Sequence, residues 1–349
     1  MDNPLNLTSC DFNQYEQWQT VTALWAPVYS LPIYLCALFL VKQYSDTQNN
    51  YIRVAQVLAI VFNYMELIVM STMFFPQFRI PVLGLQVGGV MENLYPRVIT
   101  FVIVALEIHQ GINLTTTFIA HFRLRLLSQS LALRKSSLNF IVSKSNQLAF
   151  ATYILLVISA FSILPLFNLD NLEYQKQWKN EFYQIYHLDF IWCPIYQVLD
   201  PTAWEFALMM IVACTVTVIF AVVFVLCSIA TIIIAQSARE TMSAQTVRYH
   251  IRVVISFLIS CAIQAFFVVL PVVHMLLCVY FEFFKVYTGG LLYYSILTQA
   301  HQGTAFTVFY VVFHPKTRKA LRKLIPSSRA AEKLKNEMMF TRTSFHQSN

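Results

Sequence analysis

The chain has 349 residues, of which 57% are hydrophobic and only 12% charged, with a net charge of +7. A soluble globular chain carries about 25% charged residues, so this one lacks the polar side chains to cover a water-facing surface, and lipid must solvate much of it. Seven glycines in the whole chain exclude a Gly-rich or collagen-like protein.

A membrane-spanning helix needs about 20 apolar residues at 1.5 Å per residue. Long intervals without Asp, Glu, Lys or Arg cover residues 17–41, then 54–78 interrupted by Glu66, then 98–122 interrupted by Glu107. They continue with 145–169, 206–238, 253–281 and 286–315. With flanking residues considered, the expected spans are 20–42, 53–76, 95–122, 145–168, 203–236, 252–279 and 288–314. The expected fold class is an all-α membrane protein, a seven-transmembrane helix bundle. Pro27, Pro32, Pro165 and Pro271 fall within spans; neighbouring helices can re-satisfy the backbone groups that such residues free. Asp2 follows Met1 and no basic n-region precedes a short apolar core, so the first span is expected to act as the insertion signal and to be retained.

Cationic residues decide the threading. If the N-terminus (residues 1–19) is outside, 19 of the 24 Lys and Arg fall in the cytoplasmic loops and tail, and five (Arg79, Arg97, Lys176, Lys179, Lys285) fall outside. This predicts an extracellular N-terminus and a cytoplasmic C-terminus. Asn6-Leu7-Thr8 is a glycosylation sequon usable in that orientation, whereas Asn113-Leu114-Thr115 lies inside the third span. Cys10 and Cys193 fall in the outer, oxidising segments, where they are either bridged or two free thiols. The outer loop 170–202 carries Trp178, Trp192 and several tyrosines. These either lid a pocket or rest at the membrane interface.

Four ionisable groups lie midway along spans: Glu66, Glu107, His109 and His301. Charge at mid-bilayer costs about 2.5–3.5 kcal/mol on insertion scales. The four are expected at similar depth in the bundle interior, as a polar switch or as a satisfied network. On the inner side, residues 316–326 place Ala320, Leu321, Leu324 and Ile325 on one helical face and cations on the other, as in a helix lying flat on the leaflet. The polar tail 327–349 is expected to be disordered, with Ser327, Ser328, Thr341, Thr343 and Ser344 as candidate phosphorylation sites.

No catalytic, metal or phosphate-binding motif is present: there is no His-Glu-x-x-His, Cys-x-x-Cys, Gly-x-Ser-x-Gly or P-loop. Neither an enzyme nor a cofactor is expected, and span seven has no lysine to hold retinal. Seven spans without an internal duplication speak against a transporter with repeated halves. A seven-span ligand-gated channel with its N-terminus inside conflicts with the charge distribution. A peptide receptor of the same fold stays open.

The last third of the chain carries a resemblance. Met242-Ser243-Ala244-Gln245-Thr246 resembles the Met-Ser-x-x-Thr run of the nematode serpentine chemoreceptors, G protein-coupled receptors of the Str superfamily, and most closely their class h (Srh). Gln264 and Pro271 follow in the expected order. His301-Gln302-Gly303 resembles the family's His-Gly element, and His314-Pro315-Lys316-Thr317-Arg318-Lys319 its His-x-Pro-Tyr-Arg-Lys ending. The tyrosine of that ending is absent. The acidic residue usual before the arginine is also absent from Ala120-His121-Phe122-Arg123, and no cysteine tops span three. The resemblance implies a chemosensory receptor in the plasma membrane, in the ciliary membrane of sensory neurons. Its expected partners are a small-molecule ligand from outside, a heterotrimeric G protein and membrane lipid. Nucleic acid is not among them, and a receptor dimer is compatible with the reading. By estimated depth, the ligand candidates are Thr100, Val104, Met209, His274 and Tyr294; the G protein candidates are Arg123, Arg125 and Arg248.

Overall fold

The computed structural model describes residues 16–44, 50–78, 84–91, 98–130, 136–161, 171–193, 196–198, 204–238, 242–280 and 288–314, together with 318, 319 and 321. Seven spans run through it. Span one is Gln17–Leu24 continued by Ala26–Tyr44, and span two is Asn50–Leu67 continued by a π-helical stretch, Ile68–Met73. Spans three to six are Val98–Ser130, Ser136–Phe161, Trp204–Ser237 and Ala244–Tyr280. Span seven is made of two helices, Thr288–Ala300 and Gln302–Phe313. Among the described residues, six helices are long and apolar enough to cross a membrane by themselves, and Gln302–Phe313 is a shorter apolar helix. The architecture is a seven-transmembrane bundle, the arrangement in which each apolar segment satisfies its own backbone hydrogen bonds.

Several helices outrun the charge-free intervals. Span three continues to Ser130 and span six begins at Ala244, on turns that carry the exposed Arg125 and Arg248. Absence of charge marks only the part in hydrocarbon, whereas the helix continues into the aqueous layer.

Span one is interrupted at Trp25, two residues before Pro27. The amide of Val28 turns back to Trp25 O, so Leu24 O loses its helical donor. The Thr72 hydroxyl of span two donates to it instead at 2.9 Å, and the Tyr64 hydroxyl donates to Pro27 O at 3.3 Å. A neighbouring side chain thus satisfies the carbonyl that the break releases.

Three short strands at the N-terminal side of the bundle were not anticipated from the sequence. β1 (Pro76–Phe78) and β2 (Gly84–Val87) lie between spans two and three; β3 (Tyr196–Val198) comes from the segment between spans four and five. The sheet is antiparallel in the order β1-β2-β3, with Gln77 opposite Gln86 and Leu85 opposite Gln197. Only glycine fits at the edge of β2: a Cβ at Gly84 would lie 2.1 Å from the hydroxyl of the fully buried Tyr196.

The aromatic segment before β3 folds as a cap. Leu172–Tyr186 is a helix whose N-cap Asn171 accepts from Glu173 N, and it ends on His187 in the left-handed conformation. A 3-10 turn, Asp189–Trp192, leads to β3. Ile191, Cys193, Tyr196 and Val198 form a small core against Trp178 and Phe182. The Gln175 amide acts as an extra backbone unit: Oε1 accepts from Val198 N and Nε2 donates to Val198 O, both at 3.0 Å.

Candidate functional site

Two polar groups of span two face the bundle interior. Asn63 is fully buried and Glu66 is 4% exposed. Asn63 Nδ2 donates to Ala59 O at 2.7 Å, and its Oδ1 accepts from Gln264 Nε2 of span six at 3.2 Å. The Tyr34 hydroxyl of span one lies 3.4 Å from Asn63 O and 3.2 Å from Thr304 Oγ1 of span seven. One turn further along span two, Glu66 Oε1 lies 3.4 Å from His109 Nδ1 of span three. Glu66 Oε2 is buried with no hydrogen-bond partner among the described residues.

Span seven passes Asn63 so closely that a Cβ on Gly303 would lie 2.6 Å from Asn63 Cβ. The span breaks immediately before, at His301. His301 Nδ1 lies 2.8 Å from Leu297 O. A carbonyl only accepts, so Nδ1 carries the proton. Nε2 of the neutral ring then accepts from the Tyr29 hydroxyl of span one, at 2.8 Å.

Beside these contacts lies a cavity of about 180 Å³ bounded by spans three, five, six and seven. Its polar lining includes His109 and Asn113 of span three, Gln264 of span six and Gln302 of span seven, beside threonines of spans three and five. Gln302 is 1% exposed, and neither its Oε1 nor its Nε2 has a partner among the described residues. The same holds for Asn113 Nδ2. A buried amide without partners loses about 1–3 kcal/mol per group relative to water, so these groups are costly where they stand. Two of the wall residues are backed by span two, His109 by Glu66 and Gln264 by Asn63.

The floor is aromatic. Phe224 of span five lines the cavity and meets Phe257 of span six edge-on at 5.4 Å. Phe257 meets Phe306 at 6.0 Å and Tyr310 at 6.3 Å on span seven. On the C-terminal side of that layer, Phe257 also borders the half-buried Arg123, beside Ser228 and Thr231. Arg125 and Arg248 are exposed further out.

The expected quartet of ionisable groups is not brought together. Glu66 and His109 pair, His301 turns to span one, and Glu107 is exposed on the outside of the bundle. A helix advances 100° per residue, so Glu107 and His109 cannot share one face of span three.

The five ligand candidates lie elsewhere than the cavity wall. Thr100 and Val104 are half-buried nearer the N-terminal end of span three, and Tyr294 is exposed. The half-buried His274 places Nδ1 2.6 Å from Ser295 Oγ, tying span six to span seven. The Met209 side chain, Cys10, Asn6 and Pro165 lie outside the described residues.

Cys193 is disulfide-bonded, and its partner lies outside the described residues. Cys36, Cys214, Cys227 and Cys261 are free. Of the segment after span seven, Arg318 and Lys319 are exposed, and Leu321 packs against the bundle core.

Asn63, Asn113 and Gln302 escape a search for charge-free intervals because their amides are neutral. Their signal is an amide inside an apolar run.

A further group lies in the cap. Lys179 is 8% exposed, and its Nζ donates to Cys193 O at 2.8 Å. Burial pushes its pKa down to about 8.

No curated protein and no solved structure matches the chain. A family model described as serpentine type 7TM GPCR chemoreceptor Srh matches residues 16–327, a stretch that takes in every described span. That family is one of receptors rather than enzymes. With seven spans, an interior polar cavity and this match over most of its length, the chain belongs to the Srh serpentine chemoreceptors, seven-transmembrane G protein-coupled receptors.

Proposed function

We propose that this chemoreceptor binds a small molecule in the cavity between spans three, five, six and seven, and that occupancy controls a heterotrimeric G protein at the opposite end. The observation that carries the reading is Gln302, an amide on the cavity lining, 1% exposed, whose two polar atoms have no partner among the described residues. Its volume of about 180 Å³ is below the 300–1,000 Å³ of drug-sized pockets, which suits a small odorant-like molecule better than a peptide.

An occupant touching His109 and Gln264 acts on span two through Glu66 and Asn63, and one resting on Phe224 acts on span six through Phe257. A ligand shifts states only by its differential affinity for them, and these wall residues are the ones through which differential affinity can arise. Phe257 borders Arg123; with Arg125 and Arg248 it would form the G protein face. In this reading the N-terminus is outside, in keeping with the placement of 19 of the 24 cationic residues. The protein sits in the plasma membrane of sensory-neuron cilia, Cys10 bridges Cys193, and Asn6 is glycosylated.

Second messengers recorded from cells expressing the full chain, during a screen of small volatile and water-soluble compounds, test the proposal. The expected result is an active compound whose half-maximal dose rises at least tenfold in Gln302→Leu at equal surface expression. Activity that is indifferent to Gln302 and Asn113 substitutions would refute the site.

A further inference from the structure

The cavity is not walled by protein on every side. On spans five and six its lining includes Ala221, Ala265 and Val269, and all three are exposed at the outer surface of the bundle, Val269 by 57%. In a membrane-spanning bundle that surface faces acyl chains. Two of the three rim residues are alanines, one on each facing span, so the spans leave a cleft instead of closing it with larger side chains. Along span three toward the N-terminal side, by contrast, Ile108 and Phe101 are buried.

The residues that carry unpartnered polar atoms lie on the opposite wall. Gln302 offers one acceptor and one donor group, and Asn113 Nδ2 offers a further donor. Both are neutral amides. A charged head group would lose its hydration there with no opposite charge supplied by these two residues, so they select an uncharged group that itself donates and accepts. A primary amide or a protonated carboxyl pairs with both atoms of Gln302 at once.

We infer that the ligand of this site is an amphiphile that enters from the bilayer between spans five and six, places an uncharged donor–acceptor head against Gln302 and Asn113, and leaves its aliphatic tail in the cleft beside Ala221 and Ala265. The inference rests on the cavity being the ligand site of the receptor. The modest volume follows, because only the head needs to be enclosed. Access from the membrane also fits a site whose polar wall lies midway along spans three and seven.

The test uses the full chain in lipid nanodiscs, with n-octanamide as probe and n-octane and acetamide as controls. Thermal unfolding reads binding, and the time course of protection reads entry. Octanamide is expected to raise the unfolding midpoint, acetamide to need at least a tenfold higher concentration in the membrane phase, and octane to have no effect. Gln302→Leu is expected to weaken octanamide at least tenfold. Ala265→Trp, at an exposed position that does not disturb the core, is expected to slow the onset of protection at least tenfold, and Ala221→Trp to do the same. Octanamide without effect on a cooperatively melting protein overturns the inference, as does protection whose onset is unchanged by either tryptophan. G protein nucleotide exchange is measured in the same discs. Exchange driven by water-soluble compounds and indifferent to Gln302→Leu and both tryptophans would keep the receptor reading and overturn this one. Octanamide protection of the expected pattern with no effect on exchange would sustain the membrane route and count against the receptor reading.

Discussion

Substituting Gly303 by alanine probes the tightest interhelical approach in the polar core. The added Cβ would lie 2.6 Å from Asn63 Cβ, 2.7 Å from its Oδ1 and 2.9 Å from its Cγ, whereas carbon atoms rest about 3.5–4.0 Å apart. Spans two and seven would have to part by roughly 1 Å, which is the sort of overpacking that costs about 1–3 kcal/mol. Asn63 cannot swing away freely, because it holds Ala59 O and Gln264; each bond lost adds about 0.5–1.5 kcal/mol. Alanine in a helix gains back about 1 kcal/mol over glycine. The net expectation is a loss of about 1–3 kcal/mol, read as faster thermal unfolding of the full chain in lipid nanodiscs. Because the nearest atom is a Cβ, Asn63→Ala gives no relief, whereas Asn63→Gly does. The double variant Gly303→Ala with Asn63→Gly should therefore be more stable than the two single effects predict when added. Gly303→Ala unfolding no faster than the parent would refute the close packing from which this argument starts.

Glu66→Gln keeps the shape of the side chain but removes the carboxyl group facing His109; basal signalling should change several-fold at equal surface expression, and unchanged signalling would exclude a switching role for the pair. Lys179 has a folded pKa of about 8 against about 10.4 when unfolded, so the unfolded cap binds more protons between these values. Stability of the cap should rise with pH across about 8 to 10.4, by up to roughly 3 kcal/mol. Hydrogen exchange of the cap should show this slope, and Lys179→Met should flatten it and stabilise the cap at pH 7; a slope of opposite sign would contradict the burial argument. Non-reducing peptide maps should join Cys10 to Cys193, and a bridge to any other cysteine would reject that pairing. Asn6→Gln should remove a glycosidase-sensitive mass, and a C-terminal tag should be unreachable in intact cells.

Much of the candidate site was hidden from sequence reasoning for one reason. In soluble helices the polar face points to water, so periodicity reports rotation. Here the lipid-facing side is as apolar as the interior, and exposed Leu35, Phe39, Val218 and Val222 alternate with buried Tyr34, Leu40, Phe220 and Val223. Glu66 and Glu107 look alike in the sequence, each an acid midway along an apolar run. Packing turns one inward to His109 and the other outward. Position along a span was legible; the angle around it was not.

The strands show a second limit. β1 and β3 have three residues each, too few for alternation to be seen, and the pairing of β2 with β3 joins segments more than a hundred residues apart. Such pairing follows from the bundle bringing those segments to one end.

What the sequence alone determined is the number of crossings, because a run of 20 or more residues without charge leaves hydrocarbon as the favourable solvent, together with the receptor family through motifs around spans six and seven. Only the tertiary structure decided which polar residues meet, which amides are left unpaired around a cavity, and where that cavity opens. Those outcomes depend on the rotation of each helix against its neighbours, and in lipid that rotation is set by close packing and interhelical hydrogen bonds rather than by a contrast between apolar and polar faces.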